Sequence, residues 1–230
     1  MMLLIEDKQS YDTNCELIQQ FSLIYEEAFP DENEREELSS IYNRLDANST
    51  PFTFLIFDVI DNNVQGGLVV DVYTESEIAH LIYIVTDPKL RQQGVAKKLL
   101  KSYLPKVLEK INKQFSISIE NVVFESNNPR LTQIDSFDAK LRLDIFRKLG
   151  AKHIPIKYIQ PPLEGRSERV DNLFLFVYTP HNYIDSQKLI KFIGQLYYGL
   201  GIHNYESDED YISMIESIEL STINSKIQIL

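Results

Sequence analysis

Arg91-Gln92-Gln93-Gly94-Val95-Ala96 lies between an apolar run and a basic amphipathic segment, and its residue types suit the gripping of an anion such as a pyrophosphate. A glycine lets the backbone bend close to a charged ligand, and the first turn of a helix starting there leaves N–H groups unpaired and aimed at it. Arg91 and a cluster of lysines, Lys97, Lys98, Lys101 and Lys106, add positive charge. The same spacing also describes an ordinary strand-to-helix connection, with the lysines as a solvated helix face. Lys97 is the lysine we assign to the anion.

Other chemistries find less support. Four histidines are scattered singly and one cysteine cannot build a thiolate site, so no metal is expected. No Ser-His-Asp arrangement or Walker loop is present. Cys15 has neither His nor Lys beside it and reads as a packing residue rather than a nucleophile. The net charge of −11 argues against a nucleic-acid partner, whose phosphates require clustered Lys and Arg. No run approaches the roughly 20 apolar residues of a membrane span, and the start Met1-Met2-Leu3-Leu4-Ile5-Glu6-Asp7 lacks a basic leader, so a cytoplasmic location is expected.

The elements that must position these residues follow from periodicity. Leu3 to Ile5 reads as a first strand, and Leu17, Phe21, Ile24, Tyr25 and Ala28 keep helical spacing up to Phe29-Pro30. Asp31 with Glu34 forms the capping pattern of a second helix carrying Leu38, Ile41, Tyr42 and Leu45. Phe52 to Ile60, Val64 to Tyr73 and Ile78 to Val85 read as strands of an antiparallel meander, the first pair joined by a turn at Asp61-Asn62-Asn63. Asp87-Pro88 ends the third, and a helix runs on from Gly94 with Val95, Leu99, Leu100, Tyr103, Leu104, Val107 and Leu108 on one face. Then come a strand at Ile117 to Glu125, a helix from Ala139 to Leu149 ended by Gly150, and strands at Ile154 to Ile159 and Leu173 to Tyr178. Beyond Pro180 two amphipathic helices are expected, one with Leu189, Ile193, Leu196 and Leu200, the other with Tyr211, Met214, Ile215 and Ile218.

The segment Leu81 to Leu100 resembles motif A of the GCN5-related N-acetyltransferases (GNAT), in which Arg or Gln is followed by two residues, Gly, one residue, and Gly or Ala. Arg91, Gly94 and Ala96 match it, and Val85, Asp87-Pro88 and Leu90 occupy the positions that precede it in the family. The resemblance covers roughly residues 1–180 and is weaker at Asp144 to Ala151, where Phe146 replaces the family's tyrosine and Ala151 its aromatic. It implies an α/β fold with a mixed, mostly antiparallel, twisted six- to seven-stranded sheet flanked by helices, and it implies acetyl-CoA as co-substrate. Residues 181–230 are then a helical C-terminal extension that docks on the domain or forms a homodimer contact.

The resemblance also assigns roles. Backbone donors of Gln92, Gln93, Gly94, Val95, Ala96 and Lys97, with Arg91, hold the cofactor's pyrophosphate, and the backbone at Val85 holds its pantetheine arm. Asn127 touches the pantetheine or supports the late helix, or Asn128-Pro129 beside it is a plain turn; Phe146 stands where the family's tyrosine meets the cofactor. The acceptor is an amine of a small molecule or peptide. His80 suits deprotonation of an ammonium, or is a histidine satisfied by neighbouring backbone. Glu125 holds the acceptor's charge, acts as base, or is a surface carboxylate. Because Phe146 cannot protonate a thiolate, Tyr158 is the candidate acid, expected to share one face of a strand with Gln160; water serving instead, or a half-buried tyrosine of an edge strand, are the alternatives. The proline-containing loop from Tyr158 to Asn172 suits a wall of the acceptor pocket. Two further readings stay open at this point, a longer acyl donor and a catalytically silent CoA-binding interaction module.

Overall fold

A computed structural model describes residues 1–31, 35–46, 50–129, 138–162 and 169–230. In chain order the elements are β1 (Met2–Ile5), α1 (Lys8–Thr13), α2 (Cys15–Ala28), α3 (Leu38–Arg44), β2 (Phe52–Ile60), β3 (Asn63–Tyr73), β4 (Ile78–Thr86), α4 (Val95–Lys98), α5 (Leu104–Phe115), β5 (Asn121–Asn127), α6 (Ala139–Lys148), β6 (Lys152–Ile154), β7 (Leu173–Tyr178), β8 (Tyr183–Asp185), α7 (Ser186–Gly199), α8 (Glu209–Leu220), β9 (Thr222–Ile223) and β10 (Lys226–Gln228). The fold is α/β, with a seven-stranded, mostly antiparallel sheet flanked by helices. The chain divides into two compact units, one of Met1–Thr74 and His80–Ile119, the other of Glu75–Ala79 and Glu120–Leu230.

The first unit holds strands in the order β1-β2-β3-β4. β2 and β3 form a hairpin with Ile60 opposite Asn63, so its loop is Asp61 and Asn62 alone, both left-handed at φ +47° and +62°. Two consecutive positive φ values make a primed turn, whose twist matches that of the strands, and Asp and Asn tolerate it better than other side chains. β2 is buried on both faces. Leu55, Phe57 and Val59 join Phe21, Ile24 and Tyr25 of α2 in one core, while Phe52 meets Phe115 of α5 edge-on at 5.3 Å.

α2 stands where a helix is expected, and ahead of it a capping box starts the short additional helix α1, the Ser10 N–H donating to Asp7 Oδ1 at 2.6 Å. Asp31 does not cap α3: that helix begins after Glu37 and has no side-chain cap, and Glu34 lies outside the described residues. Cys15, expected to pack, is exposed at the start of α2.

In the second unit β7 pairs antiparallel with both β5 and β6, giving the order β5-β7-β6. The strand expected from Ile117 begins only at Asn121, and the one expected from Ile154 to Ile159 ends at Ile154. The lone Gln160–Val170 bridge continues it, tied by bonds of 2.8 and 3.0 Å in the two directions. Gly150 closes α6 at φ +87° as expected of a C-cap glycine. Beyond the two expected helices α7 and α8, the C-terminal residues build a small sheet, β8-β10-β9, absent from the sequence reading. Among the described residues no helix is long and apolar enough to cross a membrane.

Candidate active site

The loop after β4 is shaped by three local devices. Asp87 accepts from the Lys89 N–H at 2.8 Å and caps a 3₁₀ turn over Pro88–Leu90, while its own N–H donates to Gln65 O at 2.9 Å. Gln92 and Gly94 are both left-handed, at φ +65° and +84°, a conformation that costs most residues roughly 1–2 kcal/mol. Gly94 then serves as N-cap of α4 with no side-chain cap. The first intrahelical acceptor used is Gly94 O, taken by the Lys98 N–H at 2.9 Å. That leaves the N–H groups of Val95, Ala96 and Lys97 as the helix's opening donors.

Arg91 to Gly94 are exposed, as is Lys97, and a Cβ placed on Gly94 would meet nothing within 4 Å. Val95 and Val85 are buried at 9% and 2% exposure, so each offers a ligand backbone groups rather than its side chain. Gly66 of β3 explains how the loop lies so close to the sheet: a Cβ there would stand 2.6 Å from Val85 O and 2.9 Å from Val95 Cγ1.

Below the loop sits a buried carboxylate. Asp58 of β2, 1% exposed, accepts from Lys98 Nζ at 2.7 and 3.0 Å and from the Tyr103 hydroxyl at 3.0 Å. Hydrogen bonding to Asp58, and secondly to Tyr103, holds the Lys98 ammonium above the usual lysine range. Lys98, placed on a solvated face by its sequence, is an anchor instead. A lone Asp inside Phe52 to Ile60 was the available signal, because a carboxylate in a buried strand needs a partner.

His80 lies on β4, 4% exposed, five positions before Val85. Elsewhere in the first unit Asp71, also 4% exposed, accepts from Thr53 Oγ1 at 2.7 Å and faces Arg44 Nε at 3.7 Å. Burial pushes its carboxyl above the ordinary range against the pull of Arg44. Arg44 is in turn ion-paired with Glu36.

The second unit brings two of the sequence candidates together. The Tyr158 hydroxyl donates to Glu125 Oε1 at 2.5 Å, with Tyr158 buried and Glu125 half-buried. Tyr158 is not on a strand; its segment is irregular and is tied to the C-terminal helices. The Lys157 N–H donates to Ser217 Oγ at 2.8 Å, the Ile159 N–H points at Met214 Sδ at 3.2 Å, and the Tyr197 hydroxyl donates to Ile159 O at 3.1 Å. Pro155, directly after Ile154, explains the break, since proline has no N–H to donate to a ladder. Asn127 ends β5 opposite Leu173, and the next residue, Asn128, donates its N–H to Asn172 O at 2.8 Å. Phe146 is buried, its ring edge-on to Phe124 at 4.9 Å. Residues 163–168 of the loop expected to wall the acceptor pocket lie outside the described residues.

Comparison with known proteins bears on the family and the fold. The family model described as acetyltransferase (GNAT) family matches residues 16–130. No curated protein sequence matches the chain. Among solved structures, a GNAT-family protein from Bacteroides thetaiotaomicron is similar with a TM-score of 0.56 and 17% identity, over 92% of this chain and 98% of that one. GCN5 of Tetrahymena is similar at a TM-score of 0.49 and 15% identity, over 80% and 99% of the two chains. Aminoglycoside 6'-N-acetyltransferase from Enterococcus faecium follows at 0.48 and 14%, over 77% and 96%. The likeness to the first is one of fold, and the family match spans β2 to β5 and the loop after β4. The chain belongs to the GNAT acetyltransferase family.

Proposed function

We propose that this protein is an acetyl-CoA-dependent N-acetyltransferase that moves an acetyl group directly to a primary amine of a small molecule or peptide. The observation that carries the reading is the exposed loop Arg91–Gly94, whose left-handed Gln92 and Gly94 head a helix without a side-chain cap. Its residues fit a diphosphate: the space over Gly94 is open, the opening N–H groups of α4 are the donors, and Arg91 and Lys97 are the charges. Acetyl-CoA supplies the thioester whose carbonyl the amine attacks. Backbone groups at Val85 hold the pantetheine arm and orient that carbonyl, a contribution that requires no special side chain.

His80 takes the proton from the acceptor's ammonium, directly or through one water, because only a neutral amine is nucleophilic. Glu125 holds the acceptor's positive charge, and Tyr158 keeps its carboxylate in one orientation through their hydrogen bond. Phe146, packed against Phe124, has no proton to give, so the departing thiolate is protonated by water or by Tyr158. Asn127 is proposed as a pantetheine contact. The acidic net charge of −11 favours cationic acceptors.

Thermal stabilisation by CoA tests the binding part, since a ligand of the native state raises the unfolding temperature. Release of free thiol from acetyl-CoA with a panel of amines tests the transfer. Stabilisation without thiol release from any amine would favour a silent CoA-binding module, and no stabilisation at saturating CoA would overturn the reading.

A further inference from the structure

Resting on the acyl-CoA reading above, we infer that Asp58 is a positioning residue for the cofactor's diphosphate. It acts by clamping the helix that opens at the anion loop, through Lys98 and Tyr103. The carboxylate is buried, and its described partners are the Lys98 ammonium and the Tyr103 hydroxyl, five residues apart on the same helix. In a regular α-helix residues five apart diverge by about 140° around the axis and could not both reach one carboxylate. Here the helix widens into a π turn over Leu99–Tyr103, where the Leu104 N–H reaches back to Leu99 O. Bonding from i to i+5 adds a residue to the turn and swings residues five apart toward the same side, which is what the clamp requires.

The sequence contains the reason for the widening. Pro105 stands in the first turn of α5 and has no N–H for the carbonyl of Lys101, while its ring crowds that carbonyl. The turn therefore opens at the place where Lys98 and Tyr103 must converge. On the strand side, Asp58 pairs with Gly66 just before a register shift between β2 and β3. Gly66 in turn admits Val85 O and the Val95 side chain. One strand pair thus holds both ends of the loop, by close packing at Gly66 and by charge at Asp58. The opening donors of α4 lie within one turn of Lys98, so their aim depends on this seat.

The test is calorimetric titration of the full chain with CoA, with 3′-phosphoadenosine 5′-diphosphate, and with pantetheine, which lacks the diphosphate. Asp58→Asn is expected to weaken CoA and the nucleotide fragment by roughly tenfold or more, the scale expected when binding groups are misplaced by a fraction of an ångström. Pantetheine affinity stays within a factor of about two of wild type. A carboxylate that merely supports the fold would weaken all three ligands alike, and that result overturns the inference. Tyr103→Phe removes the other half of the clamp while leaving the charge pair, and serves where Asp58→Asn folds poorly; the same selective loss is expected. Wild-type CoA affinity in both variants overturns the inference alone. Absence of CoA binding by the wild-type chain overturns the acyl-CoA reading as well.

Discussion

The Tyr158 hydroxyl donates to a carboxylate oxygen of Glu125 at 2.5 Å, joining residues 33 positions apart. Tyr158→Phe leaves that carboxylate without its donor, and Glu125→Gln leaves the hydroxyl facing an amide. Each is expected to lower kcat/KM for acetyl transfer by roughly a hundredfold, and the double variant by little more than the worse single one, because the two act as a unit. Additive losses in the double-mutant cycle would show that the two act independently, and unchanged kcat/KM in both single variants would remove the pair from the mechanism.

His80→Gln keeps a polar side chain of similar reach but cannot accept a proton at working pH. The expected result is a fall in kcat/KM of about 10²- to 10⁴-fold together with loss of the limb that declines toward acid. A variant with the wild-type pH profile would remove His80 from the mechanism.

Gly94→Ala asks the new side chain to adopt φ +84°, at a cost of about 1–2 kcal/mol. Nothing stands within 4 Å of the added carbon, so the protein itself has room for it. The methyl group would instead project into the space assigned to the diphosphate. CoA affinity measured by titration should therefore fall more than the loss of stability accounts for.

Arg44→Met leaves the buried Asp71 carboxylate with Thr53 as its hydrogen-bond donor and without the guanidinium 3.7 Å away. Removing one partner of a buried pair costs about 3 kcal/mol or more. Urea denaturation should show that loss, and Arg44→Met combined with Asp71→Asn should recover part of it.

His153 of β6 lies edge-on to Phe174 at 5.0 Å, and burial, then the Arg147 charge, hold its imidazole below the ordinary 6.5. A lowered folded-state pKa means that the unfolded chain binds more protons in the window below 6.5, so stability rises with pH through that window and is lost on acidification. His153→Phe should show a smaller drop in melting temperature between about pH 7.5 and about pH 5.5 than wild type. An equal drop in both would remove His153 as a source.

Much of this fold is legible in the chain because its signals are local. The nearly continuous apolar run of Phe52 to Ile60, the turn at Asp61-Asn62 and the glycines at 94 and 150 each act within a few residues, and the strand, turn and helix ends they mark stand where these signals place them. Tyr158 departs from the strand its sequence predicts for the opposite reason. Ile154 to Ile159 is apolar enough for a strand, yet the segment finds its hydrogen bonds with Ser217 and Tyr197, tens of residues away. Propensity loses to such partners because a buried N–H or carbonyl must be satisfied wherever a partner exists.

The sequence by itself determined the glycine-containing turn after β4, the family the chain belongs to, and most of the elements around that turn. It could not say that Lys98 is an anchor, that Asp58 lies beneath the loop, or that Glu125 and Tyr158 share a proton donor and acceptor. Those pairings join residues 33 to 45 positions apart. Which carboxylate meets which donor depends on strand register and helix phase, and a single π turn or a one-residue register shift changes both. Backbone periodicity is written into neighbouring residues, whereas the partner of a buried charge is chosen only when the chain has closed around it.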